Sequence, residues 1–192
     1  MPKVVPEYKD QARARIIEAA GVVFRRKGLR RATMEDIARE VGVSKGAIYL
    51  YFRTKADLLV RLQVRTRNLI LGKWQGLLEA GEIPEGIAAS LDDVFAGDSD
   101  PAVWLELIAA SATDPEVRRV MALDRKVDLR MMRQFLRRLE DRGRIPKMKD
   151  PTTTTEIVVT LLEGTVLRLM MGGSTAETRR TLIAELRLVL GL

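Results

Sequence analysis

The 192-residue sequence contains no cysteine and no histidine. The first absence excludes disulfides and thiolate chemistry. The second removes the commonest metal ligand and the commonest general base at neutral pH. Acid–base or nucleophilic work would fall to Glu, Asp, Lys, Ser or Tyr, and no clustered motif of these supports it. Neither an enzyme nor a cofactor is therefore expected. No apolar run comes near the roughly 18 residues that mark a membrane-spanning helix. The opening MPKVVPEYKDQ is polar, without the apolar stretch of a signal peptide. A cytoplasmic protein with no membrane partner is the expectation. Internal repeats are absent, and low complexity is confined to Thr152–Thr155.

What is present is a globular composition, 46% hydrophobic and 31% charged, with a formal net charge of +7. The charge is unevenly spread. Residues 1–65 hold 15 Lys and Arg against 7 Asp and Glu, a balance of +8, whereas residues 66–192 hold 18 against 19, a balance of −1. A basic module joined to a near-neutral one is the electrostatic footprint of a nucleic-acid binder, although a solvated basic surface gives the same count.

Helical periodicity dominates and nothing reads as a sheet. The spacing predicts a first helix over 10–27, with Ile16, Ile17, Ala20, Val23 and Phe24 on one stripe and Gly28 ending it. Thr33 reads as the N-cap of a second helix over 34–41, with Asp36 completing a capping box, and Gly42 stops that helix. Ser44 caps a third helix over 45–52. A fourth runs over about 55–79 with Leu58, Leu59, Leu62, Leu69 and Ile70 inward. Pro84, Pro101, Pro115 and Pro151 suit helix first turns, with Asp100, Asp114 and Asp150 before three of them as N-caps. They divide the remainder into helices over 84–96, 101–112, 114–142, 152–171 and 175–190. The expectation is all-α, about nine helices, with a three-helix domain over 1–54 and a second helical domain over 55–192.

Residues 34–52 have the proportions of a helix-turn-helix. Ala38 is small enough for two helices to cross closely. Gly42 supplies positive φ, Val43 is placed to plug the turn, and Ile48 and Phe52 face inward. The opposite face of the third helix then carries Gly46, Ala47 and Leu50, flanked by Tyr49 and Tyr51. Small residues let a backbone approach base edges, a leucine can meet a thymine methyl, and tyrosine hydroxyls can reach phosphates. Lys45 can meet a base edge or a phosphate. Packing of both tyrosines on the helix flank is the alternative.

Over ARIIEAAGVVFRRKGLRRATMEDIAREVGVSKGAIYLYFRTKADLL, Ala14 to Leu59, the chain resembles the TetR family of transcriptional regulators. The resemblance implies an all-helical homodimer that binds a double-stranded operator through its N-terminal domain. It implies DNA contacts at Thr33, Lys45, Gly46, Ala47, Tyr49, Leu50, Tyr51 and Lys55, and a C-terminal domain for ligand binding and dimerisation. ATDPEVRRVM and the long helix after it also resemble many family C-terminal domains. Without histidine, a histidine-held metal–drug complex of the tetracycline type is not expected.

In the C-terminal domain, Trp74, Phe95, Trp104, Leu105, Ile108, Met121, Met131, Met132 and Phe135 are large and apolar and suit a pocket for a hydrophobic effector. Ordinary core packing is the alternative for each. Glu106 and Glu163 lie in apolar surroundings, WLELIAA and TLLEGTVL, where each meets a cationic ligand, pairs with a neighbour such as Arg168, or faces solvent. The last two helices, about 152–190, are too apolar for a monomer surface and suit a four-helix dimer interface. A repressor released by a small molecule is the leading expectation, with an activator or a ligand-independent regulator as alternatives.

Overall fold

The computed structural model describes residues 6–80, 83–96 and 101–192; side chains at 6–8, at several positions between 63 and 80, at 90–96 and at 101–102 lie outside that description. The described residues form nine helices and no strand. In chain order these are α1 (Pro6–Lys27), α2 (Met34–Val41), α3 (Lys45–Tyr49), α4 (Lys55–Ala80), α5 (Ile83–Ala96), α6 (Pro101–Thr113), α7 (Pro115–Asp141), α8 (Pro151–Met170) and α9 (Thr175–Leu190). None of them is long and apolar enough to cross a membrane.

The prolines and their preceding aspartates set the helix starts. Pro101, Pro115 and Pro151 are the first residues of α6, α7 and α8, and Pro84 is the second of α5. Asp114 Oδ1 accepts from the backbone N–H groups of Glu116 and Val117, and Asp150 Oδ1 from those of Thr152 and Thr153. Asp100 lies outside the described residues. Two bounds differ from expectation. The first helix begins at Pro6, since proline suits a first turn where the N–H has no helical partner. The third ends at Tyr49 instead of 52. There the Tyr51 and Phe52 N–H groups both bond to the Ile48 carbonyl, at 2.9 and 3.0 Å, so one tight turn replaces further helix.

Packing divides the chain into two compact units. The first draws on residues 1–67 and 97–121, the second on 68–96 and 122–192. The expected functional boundary at 54/55 therefore falls inside the first unit. The reason is visible in its core. Ile16, Val23 and Phe24 of α1, Ile37 and Ala38 of α2, Ile48 of α3 and Phe52 are buried together with Leu58, Leu59 and Leu62 of α4 and Val103 and Leu107 of α6. A three-helix head this small buries a small share of its surface, and the first turns of α4 together with α6 complete its core. Of the expected α1 stripe only Ile17 is half-buried. Leu69 and Ile70 lie outside the described side chains.

The second unit packs Ile83 and Ile87 of α5 with Met132, Phe135, Leu136 and Leu139 of α7, Val158 and Val159 of α8, and Leu182, Leu186 and Leu190 of α9. Trp74 of α4 joins them, its ring centroid 5.3 Å from that of Phe135 at an interplanar angle of 42°. An ion pair between Arg187 and Glu85, 2.5 Å apart, ties α9 to α5.

Candidate nucleic-acid interface

The reading head is built from its caps. Thr33 is extended, and its hydroxyl oxygen accepts from the Asp36 N–H at 3.1 Å while Asp36 accepts in return from the Thr33 N–H at 3.1 Å. Both halves of the expected capping box are thus present. The Thr33 O–H also donates to Asp36 Oδ2 at 2.9 Å, so it would have to turn away to reach a phosphate. Asp36 is further held by the Lys27 ammonium at 2.6 Å, a pairing across nine residues that no local pattern signals. The Lys27 hydrogen bond, then the Thr33 hydroxyl, lower the Asp36 carboxyl to about 2.

Gly42 closes α2 at φ 80°, a left-handed conformation costly for any residue with a Cβ, and its N–H bonds to the Ala38 carbonyl. Val43 repeats that bond with its own N–H at 3.0 Å, yet its side chain is 39% exposed. Val43 therefore does not plug the turn. Val41 packs against the core instead. Ser44 caps α3 by accepting from the Ala47 N–H at 3.2 Å.

On α3 the inside and outside separate cleanly. Ile48 is fully buried and Phe52 nearly so. Lys45 and Gly46 are exposed, Tyr49 is 45% exposed and Leu50 83% exposed. A Cβ at Gly46 would meet only the Ser44 hydroxyl, at 4.0 Å, so internal packing does not require the glycine. Ala47 is half-buried. Tyr51 is also half-buried and packs against the first-unit core, so it is anchored more firmly than Tyr49.

Lys55 has a role that sequence reasoning missed. Its ammonium donates to the Leu29 carbonyl at 2.5 Å and the Ala32 carbonyl at 3.0 Å, using two of its three N–H groups on the loop between α1 and α2. Burial lowers its pKa, with the nearby Glu106 opposing that shift. Glu106 is not paired with Arg168, which meets Glu177. From α6 the Glu106 Oε2 accepts from the Leu29 N–H, and from the Arg30 N–H at 3.2 Å. These partners lie 23 to 77 residues apart in sequence, and no local pattern signals them.

The residues expected to line a pocket fall in different units. Trp104, half-buried, Ile108, exposed, and Met121, half-buried against the first core, belong to the first. Trp74, Phe135 and Met131 belong to the second, with Met131 half-buried. The Phe95 side chain lies outside the described residues. Glu163 of α8 pairs with Arg125 of α7, which also reaches Glu156 at 3.2 Å. The Glu163 hydrogen bond raises the Arg125 pKa. Arg168 pairs instead with Glu177 at 3.4 Å. Among the described residues, the buried indole Nε1 of Trp74 has no hydrogen-bond partner.

Known proteins frame this geometry. Residues 16–62 match the family model described as bacterial regulatory proteins, tetR family, and residues 79–189 match the C-terminal domain of BetI-type transcriptional repressors. The HTH-type transcriptional regulator YfiR of Bacillus subtilis is 30% identical over 173 residues, 86% of this chain and 83% of YfiR. A crystal structure from Rhodococcus sp., of a protein assigned to the same family, superposes with a TM-score of 0.75 at 21% identity, covering 94% of this chain and 99% of that one. The regulator FadR of Bacillus subtilis, crystallised with stearoyl-CoA, superposes with a TM-score of 0.66 at 22% identity, covering 92% and 97%. At those identities the two structures show a shared fold.

Proposed function

Because the chain belongs to the TetR family of bacterial transcriptional regulators, we propose that it is a repressor that a hydrophobic small molecule releases from a near-palindromic operator. Its DNA-binding helix-turn-helix comprises α2, the Gly42 turn and α3. The observation that carries the reading is the split face of α3. Ile48 is fully buried, while Lys45, Gly46, Tyr49 and Leu50 stand outward with no packing role to explain them.

Lys45, Gly46, Ala47 and Leu50 meet base edges in the major groove. Tyr49, Tyr51, Thr33 and the third N–H of Lys55 meet phosphates and fix the register. Residues 1–54 read DNA, and residues 55–192 bind effector and dimerise, with the first turns of α4 and with α6 supporting the reading head. The BetI-type C-terminal match supports a repressor. A two-fold dimer forms through α8 and α9, whose Ile157, Leu167, Met171 and Leu188 are exposed apolar side chains. A hydrophobic effector is supported by the Trp74–Phe135 pair and by the long acyl ligand of FadR.

The test is duplex affinity measured with and without a panel of acyl, aromatic and cationic compounds, repeated with Phe135→Ala. Weakened DNA binding that depends on Phe135 supports release by a hydrophobic effector. Binding that a compound strengthens points to an activator, and binding that none alters points to ligand-independent regulation.

A further inference from the structure

The short loop between α1 and α2, residues 28–32, is gripped by two side chains. Gly28 stands at φ 75°, and the left-handed turn aims the next two backbone N–H groups, of Leu29 and Arg30, at one point. Consecutive N–H groups after such a residue form a concavity suited to an anion. Here it holds the Glu106 carboxylate, delivered from α6. The Lys55 ammonium, from the first turn of α4, takes the Leu29 and Ala32 carbonyls of the same loop. The fit around the carboxylate is close. Gly28 is required by its φ; a Cβ built on it would also stand 2.8 Å from Glu106 Oε1, so the carboxylate would have to shift.

The next residue along is Thr33, the cap of α2. Through the Gly42 turn, α2 sets where α3 presents its exposed face. Recognition by a reading helix is sensitive to small displacements, because each base contact needs its own geometry. Glu106 also lies near the part-buried Lys55 ammonium and favours its charged form. On charge alone, removing this carboxylate from a protein whose partner is a polyanion would tighten DNA binding.

We propose that Glu106 is a positioning residue for DNA recognition: from α6 it clasps the Leu29 and Arg30 N–H groups, together with the hold of Lys55, and so fixes the α1–α2 loop from which α2 and α3 are hung. Glu106 touches no DNA and acts through that loop. The proposal rests on the DNA-binding half of the reading above and is independent of any effector.

The direction of one change separates clasp from charge. A duplex recovered from a random-sequence pool by the unsubstituted chain serves as probe, and its binding by that chain is the control for the DNA-binding reading itself. Glu106→Gln and Glu106→Ala are then measured on the same duplex over a range of salt. For Glu106→Ala the clasp predicts binding weaker by about ten-fold or more, the scale of losing a hydrogen bond to a charged group. It predicts an unchanged salt slope, since no phosphate contact is lost. Amide hydrogen exchange at Leu29 and Arg30 should also quicken in that variant. Glu106→Gln keeps an amide oxygen able to accept from both N–H groups, so it serves as the charge control and should lose less. Tighter or equal binding by Glu106→Ala, or unchanged exchange at those two amides, overturns the proposal. Glu106→Leu, close in size and without an acceptor, carries the comparison if the alanine variant does not fold.

Discussion

Leu50 offers a decisive perturbation because the fold does not need it. With 83% of its surface exposed it makes little internal contact, so Leu50→Ala should change stability by no more than about 0.5 kcal/mol. Its effect on DNA binding should be far larger. The substitution removes three carbons, and at ~0.8 kcal/mol per buried CH₂ their burial against a thymine methyl is worth ~2 kcal/mol per half-site, or about 30-fold in affinity for each of the two half-sites. The assay is fluorescence anisotropy on a duplex selected by the unsubstituted protein, with each thymine replaced in turn by deoxyuridine, which lacks the methyl. One replacement per half-site should weaken the unsubstituted protein and leave Leu50→Ala unaffected, since that variant has already lost the contact. Equal affinities for Leu50→Ala and the unsubstituted protein, with no position sensitive to the methyl, would refute the assignment of this face to the groove.

Ile48→Ala should cost about 2–5 kcal/mol of stability, because it empties a fully buried site between α2 and α3; thermal unfolding reads it directly. Asp36→Asn should destabilise the protein at neutral pH. The folded carboxyl lies at about 2, below its ordinary 3.8, so its contribution is present above about pH 4 and fades as pH falls towards 2. The difference from the unsubstituted protein, followed by chemical denaturation, should shrink over that window and stay constant above it. Leu188→Asp, at an exposed position on α9, should leave the folded subunit intact and raise the dimer dissociation constant about ten-fold or more, because a carboxylate would then be buried at the interface. Sedimentation equilibrium reads that change, and an undiminished dimer would place the interface elsewhere.

The elements legible in the sequence are those whose causes are local. Thr33 with Asp36, Ser44, Asp114 and Asp150 announce helix starts because a cap bonds to an N–H two or three residues on. Gly28 and Gly42 announce helix ends because only glycine takes positive φ without strain. Ile48 and Phe52 are legible as core from spacing. What escaped the sequence depends on distant partners. Val43 is exposed while Val41, two residues earlier, packs against the core. Lys55 serves the α1–α2 loop because Leu29 and Ala32 present carbonyls to it. Glu106 and Glu163 sit in similar apolar strings, yet one caps a loop and the other pairs with Arg125, a difference made by what packs opposite each. The expected pocket residues illustrate the same limit: apolar periodicity marks them as inward but does not say into which unit.

If two copies of α3 read DNA with the face of Lys45, Gly46, Tyr49 and Leu50, duplexes selected from a random pool and footprinted with hydroxyl radicals should carry an inverted repeat with half-sites about one helical turn apart or somewhat more. The repeat should be protected on one face, and binding should weaken steeply with salt. Gly46→Leu, which fills the space where the backbone approaches the bases, should abolish that footprint without unfolding the protein. A recovered site without two-fold symmetry, or a footprint that Gly46→Leu leaves intact, would contradict that reading of α3.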